Sequence, residues 1–295
     1  MENQLRCVMF NREEFLIEHQ LDADVLFLLE GLYQYGVRVL NLDGKTTKED
    51  MEEKLLQAGY RTEETLLIAA EDATPQNGRE IGLATIAFVN QKKNGQTYSA
   101  ADIVVEGFEE VDFYFLERIY QRKHGLPWRV IETERTYLRE MTVEDVDALY
   151  EIYAQEGMTD FIEPLCEKRE DEIAYTKAYI ENMYVYYGYG MWLVCDRENG
   201  EIIGRAGLNT QEIEDEIVLE MGYLIRQEYQ RQGYAYEVCT AIMDYAKEAS
   251  GFSELSCLVE EENHPSLELL QKLGFSFQKE VDILGKQMKR YVYAL

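Results

Sequence analysis

Short apolar runs alternate with amphipathic stretches along the first part of the chain. The runs RCVMF, VRVLNL, TLLIAA, ATIAFV and DIVVE have the length and composition of buried strands, and helical stretches separate several of them. Strands that alternate with helices favour a parallel sheet with helices on its faces. A helix rich in tyrosine and arginine over 112–123 ends this part. The pattern therefore predicts an α/β domain over residues 1–122.

The pattern changes after this helix. Gly125 and Pro127 lie in HGLPWRVIETER, and they indicate a linker over residues 123–134. Beyond it, MWLVCD, EIIGRAGLNTQ, EIVLEMGYLI and LSCLVE read as strands. A helix is predicted after Gly233, because apolar residues then recur on one helical face. Those residues are Ala235, Val238, Cys239, Ile242, Met243 and Ala246. Residues 135–295 are therefore predicted to form a second domain.

Charge and composition exclude several classes of function. The chain has 57 acidic and 29 basic residues and a formal net charge of −28, which argues against binding a nucleic acid. The acidic surface serves either solubility or attraction of a cationic partner, and both interpretations stay open. No apolar run approaches the ~20 residues that cross a bilayer, and we expect a cytoplasmic protein without membrane contact. The five cysteines are scattered, so neither disulfides nor a zinc site is expected.

A polar loop between a strand and a helix is the most informative stretch, EIVLEMGYLIRQEYQRQGYAYEVC. The strand is predicted to end near Ile225 and the helix to begin near Tyr234. A helix N-terminus presents unpaired N–H groups and the positive end of the helix dipole, which together bind anions such as pyrophosphate. Gly233 would let the backbone approach the anion closely. The side-chain donors at the mouth of the loop are Gln230, Arg231 and Gln232.

Two motifs in the second half resemble those of the GNAT acetyltransferase superfamily. Residues 230–235 read QRQGYA, which is similar to the signature Q/R-x-x-G-x-G/A. ELSCLVEEENHPSLELLQKLGF resembles the next strand, the Asn-bearing loop and the helix that ends in LGF. The resemblance covers about residues 135–295. It implies a GNAT mixed α/β domain and an enzyme, an N-acyltransferase that moves an acetyl group from acetyl-CoA to an amine.

The resemblance also implies where CoA binds. The strand EIVLEMGYLI would splay from its neighbour, and its backbone would bind the pantetheine arm and the thioester carbonyl, which supplies oxyanion stabilisation. The implied cofactor-binding residues are Tyr223, Leu224, Ile225, Gln230, Arg231, Gln232, Gly233, Tyr234, Ala235, Tyr236, Asn263 and Ser266. Asn263 is alternatively a plain helix cap. No metal is expected.

Glu220 is the candidate general base, since an alkyl amine is mostly protonated at neutral pH and only the free amine attacks. It stands among apolar residues on a strand that should be covered, so burial would raise its pKa. A purely electrostatic carboxylate is the alternative. In the family, a tyrosine at the place of Leu270 often protonates the leaving thiolate, and leucine cannot. The general acid is therefore unassigned.

The strand at the start of the chain suggests a second resemblance. CVMFNREEFLI, LLEGLYQYGVRVLNLDG and AGYRTEETLLIAAED resemble the motifs of HAD-type phosphatases over about residues 5–120. This implies a HAD-like Rossmannoid parallel sheet without a large cap. Such enzymes need a carboxylate nucleophile, and here Asn11 takes its place, so the domain is expected to be catalytically inactive. The other matching positions are Glu13, Lys48, Glu71 and Asp72, and ordinary surface charge is the alternative for the last three.

The sequence leaves the acceptor and two other functions open. The amine could belong to a small molecule, cationic or not, or to a protein N-terminus, and no oligomeric state is indicated. A non-catalytic CoA sensor or scaffold is favoured by Leu270 and by the lost nucleophile Asn11. A residual phosphatase is the third hypothesis. Acetyl transfer is the leading prediction, because both motifs of the second half bear on CoA.

Overall fold

The computed structural model describes residues 4–17, 20–21, 23–42, 47–71, 73–89 and 97–295. The chain divides into two compact units, Met1–Leu126 and Pro127–Leu295. Each unit has hydrophobic core clusters of its own. Over the described ranges, no helix is long and apolar enough to cross a membrane.

The first unit is built on a parallel sheet. Its described strands are β1 (Cys7–Phe10), β2 (Leu16–Ile17), β3 (Gln20–Leu21), β4 (Arg38–Asn41), β5 (Thr65–Ala69), β6 (Ala84–Phe88) and β7 (Ile103–Val105). Its described helices are α1 (Ala23–Gln34), α2 (Lys48–Ala58), α3 (Ala73–Glu80) and α4 (Phe113–Lys123). Five strands form one sheet in the order β4-β1-β5-β6-β7, and every neighbouring pair in it is parallel. The α/β class and the parallel sheet predicted for this part of the chain are confirmed.

Strand β1 shows why the sheet forms as a buried layer. All four of its residues are buried, as expected for a parallel strand with helices on both faces. Val8 and Phe10 belong to one core cluster, whereas Cys7 and Met9 belong to another. Because successive side chains of a strand point to opposite faces, the two clusters lie on the two faces of the sheet.

The order of the strands defines a crevice in the first unit. In this sheet β1 lies between β4 and β5. Strand β4 is the next strand of the sheet along the chain, and β5 follows it, so the order of the strands reverses at β1. Ligands of open α/β sheets bind beside the carboxyl ends of the strands where the order reverses in this way. Asn11 directly follows β1, and Ala70 directly follows β5. This edge is therefore where a ligand site of the first unit would be expected.

The second unit contains a mixed eight-stranded sheet. Its strands are β8 (Arg129–Glu132), β9 (Thr136–Arg139), β10 (Met191–Asp196), β11 (Ile202–Ile213), β12 (Glu216–Ile225), β13 (Glu254–Val259), β14 (Ser276–Ile283) and β15 (Lys286–Ala294). Its helices are α5 (Val146–Tyr153), α6 (Arg169–Tyr179), α7 (Tyr234–Ala249) and α8 (His264–Leu273). The order is β14-β15-β13-β12-β11-β10-β9-β8, and only β12 and β13 pair in parallel within this fully described unit.

The segment expected to be a linker, 123–134, is only partly irregular. Helix α4 extends to Lys123, and Arg129–Glu132 form β8, which pairs with β9 at the edge of the sheet of the second unit. Strand β8 is short and has charged residues at both ends, so its sequence does not differ clearly from a polar connection.

Helix α7 begins where the sequence predicted it. It starts at Tyr234, directly after Gly233, and it runs for 16 residues. Of the residues that the helical spacing assigned to one face, Ala235 is half-buried and the others are buried, namely Val238, Cys239, Ile242, Met243 and Ala246. The helix therefore packs this face against the sheet and leaves its N-terminus at the end of the loop that follows β12.

Candidate active site

Strands β12 and β13 pair over two residues and then separate. Leu219 pairs with Leu255, and Glu220 pairs with Ser256. Beyond this point β12 continues to Ile225 paired with β11 alone. The strand order thus leaves a gap between β12 and β13, as the sequence predicted.

The backbone of Tyr223 faces this gap. The Cys257 Sγ lies 3.4 Å from the Met221 carbonyl oxygen, which shows that the backbone groups of Met221 face β13. Because alternate residues of a strand direct their backbone groups to opposite edges, Tyr223 and Ile225 face the same edge as Met221. Leu224 faces the other edge, where it pairs with Arg205 of β11. The Ile225 carbonyl accepts a hydrogen bond of 2.9 Å from the Gln230 side chain.

The loop after β12 is held by its own glutamines. Gln230 binds the end of β12, and the Gln232 Nε2 donates to the Glu228 carbonyl at 2.6 Å. The sequence suggested both side chains as donors at the mouth of the loop, but their amides are used inside it. Arg231 is exposed and has a φ of 58°. Gln230 and Gln232 are exposed as well, but their side-chain amides donate to backbone carbonyl groups.

Gly233 is the N-cap of α7 and has a φ of 86°. A side chain is strained in this left-handed region, so glycine is required for the turn that leads into the helix. No side chain caps the first turn of α7. Tyr234 and Ala235 are half-buried there, and Tyr236 is exposed. The N–H groups of this turn are therefore available for an anion.

An ion pair that the sequence analysis missed supports this helix end. Glu237 lies in the first turn of α7, and its carboxylate accepts hydrogen bonds from the Arg135 Nε at 2.7 Å and the Arg135 N–H at 2.8 Å. Arg135 also donates to the Gln232 carbonyl at 3.0 Å and stacks 4.1 Å above the Tyr234 ring. Burial acts to raise the pKa of Glu237, but hydrogen bonds from Thr133 and Arg135 outweigh it and lower the pKa. Arg135 thus neutralises an anion beside the open helix end.

Glu220 lies on the opposite face of β12 from Tyr223. It is partly buried, and it stands opposite Asn209 of β11. Burial raises the pKa of Glu220 from its ordinary value of 4.5 to about 7. Across the described ranges, no hydrogen bond or ion pair reaches its carboxylate. A carboxyl group with such a pKa can accept or release a proton near neutral pH.

Helix α8 follows β13 along the chain, and Ser266 in its first turn lies next to Tyr223 of β12. Asn263 is the N-cap of this helix, and its Oδ1 accepts a hydrogen bond of 3.3 Å from the Ser266 N–H. The Tyr223 hydroxyl is buried beside the Ser266 side chain. Burial raises the pKa of Tyr223, which the adjacent Ser266 partly opposes. Leu270 is fully buried in the core.

The crevice of the first unit is occupied by a side chain of the chain itself. Asn11 is 5% exposed, and its Nδ2 donates to the Glu14 Oε1 at 2.9 Å. The other carboxylate oxygen of Glu14 accepts the Ala70 N–H, and the Asn11 Oδ1 accepts the Glu13 N–H at 3.2 Å. The Glu14 carboxylate therefore lies between the ends of β1 and β5.

The remaining positions predicted in the first unit are Lys48, Glu71 and Asp72. Lys48 forms an ion pair with Glu80 at 3.6 Å, in which both side chains are about half exposed. Glu71 is exposed, and Asp72 lies outside the described residues. In the described part of the chain, no group of three or more His, Cys, Asp or Glu residues could hold a metal ion.

Comparison with known proteins concerns the second unit. Residues 135–276 match the family model described as an acetyltransferase (GNAT) domain. The uncharacterized N-acetyltransferase p20 of Bacillus licheniformis is 30% identical over 152 residues, which cover 50% of this chain and 82% of p20. The uncharacterized N-acetyltransferase YoaA of Bacillus subtilis is 29% identical over 153 residues, covering 51% of this chain and 84% of YoaA.

A further relative and a solved structure match parts of the chain. The protein YkkB of Bacillus subtilis is 30% identical over 105 residues, covering 36% of this chain and 61% of YkkB, so the match spans less than two thirds of that relative. An acetyltransferase from Agrobacterium tumefaciens superposes with a TM-score of 0.46 at 23% identity, covering 55% of this chain and 92% of the other.

Proposed function

This chain belongs to the GNAT acetyltransferase family through residues 135–276, and from that premise we propose that it transfers the acetyl group of acetyl-CoA to an amine. Proteins of this family are acyltransferases that use acetyl-CoA and act on amine acceptors. The observation that carries the proposal is the gap between β12 and β13, which begins after the pairing of Glu220 with Ser256. The Tyr223 backbone faces this gap, and the uncapped N-terminus of α7 lies at the end of the same loop.

The loop and the start of α7 would hold the pyrophosphate of CoA. Gly233, Tyr234, Ala235 and Tyr236 would contribute backbone N–H groups at the positive end of the helix. Arg231 would add a cation from solvent. Gln230 and Gln232 would act by fixing the loop, because their side chains bind its backbone.

The gap would hold the pantetheine arm. Acetyl-CoA, when bound, supplies the activated acetyl group for the reaction. Tyr223 is the best candidate to bind beside that group through its backbone, because Leu224 faces β11 and the Ile225 carbonyl is bound to Gln230. Ser266 and the Tyr223 hydroxyl would line the gap. Asn263 would contribute by holding the start of α8.

Glu220 would take the proton from the acceptor amine. Its pKa of about 7 keeps much of the carboxyl group ionised at neutral pH while leaving it basic enough to accept a proton. It lies at the point where the two strands begin to separate, next to the residues that would hold the acetyl donor. Neither a general acid nor a metal is assigned.

A panel of acceptors tests the proposed function. The full chain is incubated with acetyl-CoA and simple amines, polyamines, aminoglycosides or peptides with free N-termini, and the released thiol and the N-acetyl product are measured together. We expect equal amounts of both for at least one amine. Binding of acetyl-CoA without release across the whole panel would favour a CoA sensor, and no binding at all would contradict the proposal.

For the first unit, we propose a catalytically inactive HAD-like domain. The parallel sheet with β1 between β4 and β5 is compatible with it, and Asn11 cannot act as a carboxylate nucleophile. The Glu14 carboxylate lies where a ligand of such a sheet would be expected. We expect no hydrolysis of p-nitrophenyl phosphate with Mg²⁺. Turnover that disappears in Glu13→Ala would contradict this.

A further inference from the structure

The structure describes the second unit completely. Within it, Arg205 differs from Arg139 and Arg290, two other arginines with little exposure, because it lacks a carboxylate partner. The Arg139 side chain is 13% exposed and makes two hydrogen bonds to Asp145, at 2.8 Å and 2.7 Å. The Arg290 side chain is 2% exposed and binds Glu216 and Glu254. Arg205 has neither an ion pair nor a hydrogen bond to a carboxylate, and its Nε is buried without a partner.

The groups around the Arg205 guanidinium are phenols. Its Cζ lies 5.6 Å from the centre of the Tyr179 ring, and Tyr153 and Tyr184 are close to it. Burial raises the pKa of both Tyr179 and Tyr184, so their rings stay neutral. A cation–π contact offsets only part of the free energy that a guanidinium loses on leaving water. The side chain therefore lacks the anion that a buried arginine normally has.

Arg205 lies on the face of the sheet that carries Glu220. It precedes Asn209 by four residues on β11, and Asn209 stands opposite Glu220. Side chains four residues apart on a strand share a face, and their Cα atoms are about 13 Å apart. Tyr179 spans this interval, because its hydroxyl donates to the Asn209 Oδ1 at 3.3 Å while its ring contacts Arg205.

The interval between Arg205 and Glu220 is covered by Gly190 and Met191. Gly207 and Gly222 pair with each other in the middle of this interval, and the Gly190 backbone lies over Gly207 where a side chain would be. The Met191 sulfur lies 3.5 Å from the position that a Cβ on Gly222 would have. One end of the interval is thus a guanidinium without an anion, the middle beside Gly222 is the apolar Met191 side chain, and the other end is a carboxyl group without a described partner.

We propose that Arg205 binds a carboxylate of the acceptor, so that the acceptor is an amino acid: an amine joined to a carboxylate by a short apolar spacer. The carboxylate binds Arg205, the spacer lies along the Met191 side chain beside Gly222, and the amine reaches Glu220. This inference rests on the proposed acetyl transfer and names the class of acceptor for the same site. Arg205 is a specificity residue here, because it contacts the substrate away from the reacting atoms.

A matched series of acceptors tests the inference. ω-Amino acids from glycine to 8-aminooctanoate are compared with their carboxamides, which keep the amine and the length but lack the charge. We expect kcat/KM to favour the carboxylate by at least about tenfold at one or more lengths, as a charge-assisted hydrogen bond allows. In Arg205→Met this ratio should fall to about one. Equal kcat/KM values for carboxylates and carboxamides, or an unchanged ratio in Arg205→Met, would overturn the inference.

Thermal unfolding without acetyl-CoA tests Arg205 separately from catalysis. Arg205→Met should unfold at the same temperature as the wild type or higher, since it removes a charge that has no anion. The control Arg139→Met should unfold at a lower temperature, because it leaves Asp145 without its partner. Glutarate should raise the midpoint of the wild type but not that of Arg205→Met, and glutaramide should raise neither.

The acceptor series and the unfolding measurements distinguish a failure of this inference from a failure of the proposed function. A structural role predicts that Arg205→Met is destabilised as strongly as Arg139→Met, and that result would overturn the inference. A wild type that does not respond to glutarate would also count against it. If no amine is acetylated at all, the proposed function fails, and the unfolding data still decide whether Arg205 binds a carboxylate.

Discussion

The Glu220 carboxylate is largely buried and has no hydrogen-bond or ion-pair partner among the described residues. Burial raises its pKa to about 7. Glu220→Gln keeps the shape of the side chain and removes its ability to accept a proton. We expect kcat/KM to fall by about 10²–10⁴-fold, which is the usual contribution of a general base. The decline of the wild-type rate as pH falls through 7 should disappear in the variant. A pH–rate profile that is unchanged by the substitution would contradict the role as base.

The same pKa determines how Glu220 affects stability. Because its pKa rises from 4.5 to about 7 on folding, the folded state binds the proton more tightly than the unfolded state. The stability that this group contributes is complete below pH 4.5 and is lost as pH rises through about 7. Glu220→Gln should therefore unfold at a higher temperature than the wild type at pH 8, and at a similar one near pH 4. A thermal shift that does not depend on pH would contradict the raised pKa.

In the first unit, the effect of a carboxylate at position 11 depends on the groups around Asn11. Asn11→Asp would restore a carboxylate, but it would place it beside Glu14 and remove the hydrogen bond that Asn11 donates. We expect no phosphatase activity and a loss of about 1–3 kcal/mol in the free energy of unfolding, measured with urea. Asn199→Asp is the control, because Asn199 is exposed and its Oδ1 accepts a hydrogen bond that a carboxylate also accepts. A gain of phosphomonoester hydrolysis would contradict the account of this crevice.

At the scale of elements, the start of α7 depends on a residue in front of β9. Arg135 neutralises Glu237 and holds the Gln232 carbonyl. Arg135→Met should weaken acetyl-CoA binding by roughly tenfold, since it leaves a carboxylate in the first turn of a helix that would bind pyrophosphate. The double variant Arg135→Met with Glu237→Gln should recover most of the affinity. Calorimetric titration measures both, and a double variant as weak as the single one would indicate that the charge of Glu237 is not the cause.

Elements with a strong local pattern could be predicted from the sequence. The apolar spacing in α7 and the glycine before it follow from rules that act within one helix, and both hold in the structure. Strand β8 lacked such a pattern, and it is stabilised by its pairing with β9. The directions of the Gln230 and Gln232 side chains depend on which carbonyl groups the folded loop leaves open. A motif names the residues of such a loop, but it does not show where their side chains point.

At the scale of the whole molecule, contacts between residues far apart in sequence limit how much of the site the sequence can predict. Arg135 and Glu237 are 102 residues apart in sequence, and nothing near either one indicates the other. Arg205 is visible in the sequence as a charge within a strand, but its lack of a carboxylate depends on the packing of tyrosines from α5 and α6. The positions of Glu220 and of the loop after β12 could be predicted from the sequence. The side chains that contact the loop and the start of α7 and neutralise charge there could not.

The affinity of the full chain for acetyl-CoA tests the central claim most directly. Gly233→Glu places a carboxylate and a strained φ at the start of α7, whereas Gly251→Glu makes the same change at a φ of 70° with no atom within 4 Å of the added Cβ. We predict that the wild type and Gly251→Glu bind acetyl-CoA alike in calorimetric titration, and that Gly233→Glu loses at least about 100-fold in affinity. A wild type that does not bind acetyl-CoA, or a Gly233→Glu variant that binds as tightly as the wild type, would contradict the account.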